Sequence, residues 1–335
     1  MNNKKINILE PITNKDIHAD AGGKAILIGE HSVVYGYKAI ALALPDIRLS
    51  MSIYVDTFST TWENAWETRI KDQIYKTDKN IQQLLSKAFA KALELCHASL
   101  QLDEFKPQKI VIQSEIPLGG GMGGSAAIST CLVKIAAAIA KQKGLLANDL
   151  THTQQILFAN EVDCLFHSGK ASGLDVTTVA CDGLIEFIKD TGYQYIKNAK
   201  EFWLALVDSQ ERGETSAMVK KVYKFVDTYP EEGKQCLENL GKLAEKTTHL
   251  LKDGLISELG LVLDSSQIFL EKLGVSTPKI KEIIQVLKQQ GALAAKLTGA
   301  GGGGLVLALF ENKPNHLYST FSEDVLYITK VPKYE

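Results

Sequence analysis

The stretch IPLGGGMGGSAA, from Ile116 to Ala127, places five glycines between a proline and a serine. The run KIVIQS at 109–114 leads into it and predicts a strand, whereas the Ala- and Ile-rich run at 125–143 follows it and predicts a helix. Glycines let backbone N–H groups approach an oxyanion closely, and a helix N-terminus adds partial positive charge. The sequence therefore predicts that a phosphate-bearing ligand binds at this loop.

Three classes of phosphate site compete for the loop. Positions 119–124 spell the G-x-G-x-x-G of a dinucleotide site, but that site needs an acidic residue about 20 residues further on. No Asp or Glu stands between Glu115 and Asp149, which disfavours this class, and no G-x-x-x-x-G-K-[ST] string of a Walker P-loop occurs. The third class is a different ATP-binding loop, in which a serine at the helix start, here Ser125, binds Mg²⁺. A glycine-rich turn without a ligand is the remaining alternative.

The composition sets further bounds. The 335 residues are 45% apolar and 23% charged, with a formal charge of −2. This is typical of a soluble globular protein and gives no reason to expect nucleic acid or an anionic membrane as a partner. No apolar run reaches the ~18 residues of a membrane span, and the start MNNKKINILEPITNKD has no apolar core of signal-peptide length.

The five cysteines form no C-x-x-C pair and the seven histidines no H-E-x-x-H. We therefore expect reduced thiols, no zinc site and a cytoplasmic location.

Hydrophobic spacing predicts the order of elements. The first ~18 residues are predicted to be a loose leader. In the first half we predict strands at 25–28, 39–44, 49–55 and 176–180, helices at 80–97, 125–143 and 149–167, and a long irregular loop at 57–78. In the second half we predict a boundary region at 184–195, strands at 202–207, 294–297 and 305–310, and helices at 213–225, 231–252, 255–273 and 279–290. The helix-rich second half suggests two α+β domains, at 1–192 and 193–335.

A second glycine cluster, Thr298 to Gly304, lies between the last two predicted strands. It contains five glycines, which implies that the loop lies close to another group.

Three stretches taken together are more specific than any one alone. They are GGKAILIGEHSVVYG at 22–36, PLGGGMGGSAA at 117–127 and KLTGAGGGG at 296–304. In this order and at these separations they resemble the three motifs of the GHMP small-molecule kinases, which are named for galactokinase, homoserine kinase, mevalonate kinase and phosphomevalonate kinase. The resemblance spans nearly the whole chain. With Glu161 and the SGLD at 172–175, it looks most like the mevalonate kinase branch.

The resemblance implies a fold and a set of site residues. The fold would be α+β with two domains, a ribosomal protein S5 domain 2-like N-terminal domain and a ferredoxin-like, helix-rich C-terminal domain, with the active site in the cleft between them. ATP and Mg²⁺ would be the cofactors, with Ser125 and Glu161 holding the metal. The ATP phosphates would be bound by Pro117, Gly119, Gly120, Gly121, Met122, Gly123, Gly124, Ser125 and Ala126. Asp175 and Lys24 would be catalytic. The substrate would contact Lys24, Glu30, His31, Ser172, Asp175, Thr215, Gly299 and Ala300.

The chemistry of phosphoryl transfer agrees with these roles. The reaction needs positioning and charge neutralisation more than covalent help. Asp175 could accept the proton of an alcohol while Lys24 stabilises the developing alkoxide. Whether Asp175 is a base or an electrostatic partner stays open. Because Mg²⁺ keeps several waters, one hydroxyl and one carboxylate from the protein suffice.

The activity implied by the resemblance is ATP-dependent phosphorylation of the primary C5 hydroxyl of mevalonate, which gives 5-phosphomevalonate for isoprenoid precursor synthesis. Phosphomevalonate kinase, another small-alcohol kinase of the family, and a non-catalytic ATP or ligand sensor on the same fold stay open as alternatives. We expect a small-molecule substrate and neither nucleic acid nor a membrane as partner, and we leave a homodimer open. Two positions depart from the family pattern: Gly22 stands where proline is usual, and Gly124 stands where the first of two serines is usual.

Overall fold

The structure of the chain is a computed structural model that describes residues 16–70, 73–75, 77–117, 119–167, 172–197 and 199–331, with the backbone alone at 55–57. Its strands are β1 (Ile17–Ile28), β2 (Ala39–Phe58), β3 (Trp66–Ile70), β4 (Gln73–Tyr75), β5 (Gln108–Ser114), β6 (Leu184–Ile188), β7 (Gly192–Tyr195), β8 (Phe202–Asp208), β9 (Ala294–Thr298), β10 (Leu305–Phe310) and β11 (Leu326–Val331). Its α-helices are α1 (Lys79–Cys96), α2 (Gly124–Gln142), α3 (His152–Asp163), α4 (Leu174–Cys181), α5 (Thr215–Thr228), α6 (Pro230–Asp253), α7 (Ile256–Lys272) and α8 (Pro278–Gln289).

The chain divides into two compact units, each assembled from separate segments. The described residues within 1–22, 47–116 and 125–171 form the first unit, and those within 23–46, 117–124 and 172–335 form the second. Both units combine strands with helices, which confirms the predicted α+β class. The predicted domain boundary between residues 192 and 193 stays a prediction.

In the first unit, β5 lies between two other strands. It pairs antiparallel with the Leu49–Phe58 part of β2 and parallel with β3, and β4 pairs antiparallel with β3. The helix α1 begins where the Asp78 carboxylate accepts hydrogen bonds from the N–H groups of Asn80 and Ile81 at 2.8 and 3.0 Å, which satisfies two unpaired donors of the first turn. Its apolar residues at helical spacing form the buried face.

The helix α2 is a core helix of the first unit. By length and composition alone it is the one helix in the described part of the chain that qualifies as a membrane span. Its apolar side chains, among them Leu132, Ile135 and Ile139, are buried inside the protein, and this burial accounts for its composition.

In the second unit, an antiparallel four-stranded sheet has the order β11-β8-β10-β9. Every residue of β10 is buried, as expected for a strand covered on both faces. The helices α5 to α8 also belong to this unit. Thr277 caps the N-terminus of α8, because its hydroxyl accepts a hydrogen bond from the N–H of Ile280 at 3.2 Å. The start of β2 pairs with β6, and β6 pairs with β7.

Several sequence predictions need correction. Residues 176–180 belong to the helix α4 and not to a strand, because Gly173, at φ +82°, starts a helical turn and the Thr178 hydroxyl donates to the Leu174 carbonyl at 2.7 Å. The irregular loop at 57–78 contains β3 and β4. The boundary region at 184–195 is the β6–β7 hairpin, and β11 was not predicted. Strand β1 begins at Ile17, within the predicted leader, of which residues 1–15 lie outside the described part.

The remaining long helices and the two strands around the second glycine cluster are confirmed within a few residues. All five cysteines are free thiols, and four of them are buried, in agreement with the prediction of reduced cysteines.

Candidate active site

A small pocket in the second unit brings together the residues that the sequence predicts for substrate binding. Its volume is about 120 Å³, small beside the ~300–1,000 Å³ of pockets for drug-sized ligands. The predicted substrate residues Lys24, Glu30, His31, Ser172, Asp175, Thr215, Gly299 and Ala300 all line it, together with Gly121 of the glycine loop. The pocket therefore suits a molecule of few atoms.

Lys24 and Asp175 form an ion pair in this pocket. Lys24 Nζ lies 3.0 Å from Asp175 Oδ1; the lysine side chain is 3% exposed and the aspartate 34%. Lys24 is held by β1, and its backbone N–H donates to the Met122 carbonyl at 2.9 Å. Asp175 is in the first turn of α4, where the helix dipole favours a negative side chain. A carboxylate that solvent can reach beside a buried cation is suited to accepting a proton from a bound hydroxyl.

The glycine loop packs directly against Lys24. Gly119, Gly121 and Gly123 have positive φ angles of 65°, 83° and 79°. A Cβ atom at Gly123 would lie 2.7 Å from Lys24 Cγ, closer than real Cβ contacts allow. The loop therefore combines backbone N–H groups that a phosphate can approach with the absence of a side chain where Lys24 passes.

Glu30 and Lys296 form a fully buried ion pair beside the pocket. Lys296 Nζ donates to Glu30 Oε1 and, at 2.6 Å, to the Leu297 carbonyl. Burial raises the pKa of Glu30 although the Lys296 ammonium acts in the opposite direction, and burial lowers the pKa of Lys296. Sequence reasoning missed Lys296. The available signal was a lysine within the apolar strand AAKLT, because a buried ammonium requires a partner.

His31 is buried and has an unusual backbone conformation. Its φ is +61°, a region that residues other than glycine rarely adopt, and such strain clusters at functional sites. The imidazole Nε2 lies 2.9 Å from the Ala300 carbonyl, which can only accept, so Nε2 carries the proton. Burial lowers the pKa of His31, so the ring is neutral at pH 7 and presents no charge to a ligand.

The second glycine cluster packs against the protein itself. A Cβ at Gly301 would lie 2.4 Å from the Val275 carbonyl oxygen, and one at Gly303 would lie 2.6 Å from that of Glu211. These close backbone approaches, all within the second unit, account for at least two of the five glycines. Gly299 and Ala300 remain as the part of the loop that lines the pocket.

The predicted metal ligands Ser125 and Glu161 have other partners. Ser125 Oγ lies 3.1 Å from His167 Nε2, whose other neighbour is the buried Asp163 at 3.5 Å. The Glu161 side chain is 56% exposed and lies 3.6 Å from Lys91 Nζ. Within the described ranges, no group of three or more His, Cys, Asp or Glu side chains could hold a metal ion. Sequence reasoning did not identify His167 or Asp163, since neither belongs to the motifs.

Comparison with known proteins identifies two family models in the chain. The GHMP kinases N terminal domain matches residues 84–183, and GHMP kinases C terminal matches residues 235–324. Among curated relatives, mevalonate kinase of Thermococcus sibiricus is 30% identical over 321 residues, which is 89% of this chain and 90% of the relative. Mevalonate kinase of Pyrococcus abyssi is 31% identical over 309 residues, which is 88% and 89%.

A solved structure supports the same fold. The crystal structure of L. major mevalonate kinase in complex with R-mevalonate resembles this chain with a TM-score of 0.75 at 23% identity, covering 97% of this chain and 99% of the other. At this identity the likeness shows the fold alone.

Proposed function

This chain belongs to the GHMP kinases, and from that premise we propose that it is an ATP-dependent kinase that phosphorylates the primary C5 hydroxyl of mevalonate. The product is 5-phosphomevalonate, a precursor for isoprenoid synthesis. The observation that carries the proposal is the Lys24–Asp175 ion pair, which lies in a small pocket against the glycine loop. The curated relatives named mevalonate kinase, at about 30% identity over most of the chain, support this substrate.

The two residues of the ion pair have complementary roles in the transfer. The C5 hydroxyl oxygen attacks the γ-phosphorus of ATP, the bond from that phosphorus to the β–γ bridging oxygen breaks, and ADP leaves. Asp175 accepts the hydroxyl proton as the new O–P bond forms. Lys24, fixed by its backbone bond to Met122, stabilises the negative charge that develops on the attacking oxygen and on the phosphoryl group.

The glycine loop supplies the phosphate contacts in this proposal. Gly119 and Gly121 are exposed and have positive φ angles, and the chain continues directly into the N-terminus of α2. The backbone N–H groups of this loop would bind the ATP phosphates. The rest of the loop and the first turn of α2 consist of Pro117, Gly120, Met122, Gly124 and Ala126. A helix N-terminus stabilises the negative charge of a bound phosphate.

The charges of the pocket favour an alcohol over a phosphorylated substrate. Among the described residues that line it, Lys24 is the only Lys or Arg, and two carboxylates, Glu30 and Asp175, accompany it. A phosphate group on the substrate would meet no Lys or Arg side chain other than Lys24 among these described residues. The pocket therefore supports mevalonate and not phosphomevalonate as the substrate.

Mg²⁺ accompanies ATP in the proposal, held by Ser125 and Glu161. Their hydroxyl and carboxylate oxygens are the donors that Mg²⁺ prefers, and each would exchange its present partner, His167 or Lys91, for the metal. When bound, the ion neutralises charge on the ATP phosphates. The proposal also includes a cytoplasmic location, the absence of nucleic acid or membrane partners, and a homodimer as an open alternative.

The test is turnover by purified protein with Mg²⁺-ATP and mevalonate, followed by ADP release. In Asp175→Asn we expect kcat to fall by about 100- to 10,000-fold, because the proton acceptor is lost, while a fluorescent ATP analogue still binds. The matched control is Asp182→Asn at the other end of α4, an exposed position outside the pocket that should retain activity. Turnover of phosphomevalonate, galactose or homoserine in place of mevalonate would contradict the substrate, and unchanged kcat in Asp175→Asn would contradict the mechanism.

A further inference from the structure

Glu30 has one carboxylate oxygen engaged and one unengaged. Oε1 accepts the hydrogen bond from Lys296, whereas Oε2 is buried and accepts no hydrogen bond from any residue that the structure describes. Glu30 is 1% exposed and lines the pocket. An unsatisfied buried carboxylate oxygen is costly, so its persistence in a pocket points to a ligand that donates to it.

Hydrogen bonds of the Lys296 ammonium and of the residues that follow it hold Lys296 in place. Its ammonium donates to the Leu297 carbonyl at 2.6 Å, and the N–H of Leu297 donates to Gln267 Oε1 of α7 at 3.0 Å. Two residues on, the Thr298 hydroxyl bonds to both the N–H and the carbonyl of Ile26, at 3.0 and 2.9 Å. These contacts fasten β9 to β1, the strand that carries Lys24, and so fix the Lys296 ammonium relative to Lys24.

The chemistry of mevalonate identifies the donor. The molecule has two hydroxyl groups, a primary one at C5 and a tertiary one at C3, and its carboxylate can only accept. In the proposed function the C5 hydroxyl is engaged by Lys24 and Asp175. The C3 hydroxyl is then the group that can donate to Glu30 Oε2.

We propose that Lys296 is a positioning residue for substrate selection: it holds Glu30 Oε1 so that Oε2 accepts the hydrogen bond of the substrate's tertiary hydroxyl. This inference rests on the proposed function and extends it, because it makes recognition of the C3 hydroxyl by Glu30 depend on Lys296, a side chain that does not line the pocket. A purely structural ion pair would contribute to folding and would have no effect on discrimination between substrates.

The experiment compares mevalonate with its 3-deoxy analogue, 5-hydroxy-3-methylpentanoate, in wild type and in Lys296→Met. For the wild type we expect kcat/KM to favour mevalonate by about 100-fold or more, since the analogue leaves Glu30 Oε2 unpaired. In Lys296→Met the preference should fall to about tenfold or less, mainly through a higher KM for mevalonate, while the KM for ATP stays within about twofold.

The matched control is Lys38→Met, which removes a partly buried lysine paired with Glu186 at 3.0 Å in the same unit, outside the pocket. It should keep the full preference for mevalonate. If Lys296→Met does not fold, Glu30→Met combined with Lys296→Met replaces both charges by apolar side chains, which buried pairs often tolerate, and carries the same expectation.

The outcomes distinguish failure of the proposed function from failure of the role assigned to Lys296. Absence of wild-type turnover on mevalonate overturns the proposed function. Turnover with a preference that survives in Lys296→Met, or in the double variant, overturns the role of Lys296 and leaves the proposed function standing. Loss of preference in Lys38→Met as well would show a general effect of charge removal and would also overturn it.

Discussion

At the scale of single residues, Gly123 is the point at which the glycine loop packs against Lys24. Its φ is +79° and a Cβ there would lie 2.7 Å from Lys24 Cγ, whereas a Cβ at Gly121, with φ +83°, would contact nothing within 4 Å. The two positions therefore carry the same backbone constraint and differ in their effect on Lys24.

For Gly123→Ala and Gly121→Ala we expect the free energy of unfolding to fall by about 1–2 kcal/mol each, because both place a Cβ in the left-handed region. Gly123→Ala should lower kcat about 100-fold more than Gly121→Ala, since Lys24 must move by roughly 1 Å. Urea denaturation and steady-state kinetics on the pair measure the two effects. Equal losses of kcat would show that the position of Lys24 does not depend on Gly123.

The sequence identifies most of the individual pocket residues but not what holds them. Short sequence motifs contain four of the predicted residues, Lys24, Glu30, His31 and Asp175. All four line the pocket. Lys296 was quoted within a motif yet received no role. Its importance depends on a contact with Glu30 across 266 residues, and no local pattern encodes such a contact.

At the scale of elements, the predicted metal ligand Glu161 has a counterpart on another helix of the first unit. Glu161 on α3 and Glu94 on α1 both lie near Lys91 Nζ, at 3.6 and 3.5 Å, and the two carboxylates are similarly exposed, at 56% and 57%. If Glu161 is a Mg²⁺ ligand, it differs from Glu94 in function although its present surroundings are alike.

We expect Glu161→Gln to raise the Mg²⁺ concentration for half-maximal turnover about tenfold or more, because an amide oxygen is a weaker ligand than a carboxylate. The control Glu94→Gln removes the charge of the other carboxylate near Lys91. It should leave the Mg²⁺ concentration for half-maximal turnover unchanged. The measurement is a Mg²⁺ titration of initial rate at saturating substrates. Identical titrations for both variants would restrict Glu161 to its contact with Lys91.

The elements predicted correctly are those whose periodicity is visible in the sequence. α6, α7 and α8 have apolar residues at helical spacing, and the long strands have β-branched runs. The prediction of a strand at 176–180, where the structure has α4, was wrong for two reasons. Residues 176–179 (VTTV) favour a strand by propensity, and all four are buried, so the sequence shows no helical period. Strand β3 was missed because it is short and polar, and it exists through its parallel pairing with β5.

At the scale of the whole molecule, stability depends on pH through buried groups in the second unit. Burial lowers the pKa of His31, so below its ordinary value of 6.5 the unfolded chain binds a proton that the folded chain does not. Protonation then favours unfolding. The contribution of His31 is fully present above about pH 6.5 and is lost as the pH falls toward the lowered pKa.

Glu30 acts in the opposite direction, because burial raises its pKa above the ordinary 4.5 and the folded chain retains a proton that the unfolded chain releases. A single pH profile of the wild type mixes the two effects, so the difference between two proteins is needed. Glu30 is common to the wild type and to His31→Gln, whereas the titrating imidazole is present in only one of them.

We expect the free energy of unfolding of His31→Gln, measured by urea denaturation between about pH 5 and pH 7, to depend less steeply on pH than that of the wild type. The exposed His249→Gln in the same unit controls for loss of a histidine as such. Parallel profiles for wild type and His31→Gln would mean that the His31 imidazole becomes protonated in the folded chain. The pocket would then present a second cation near Glu30, and the inference that His31 is neutral and presents no charge to a ligand would be wrong.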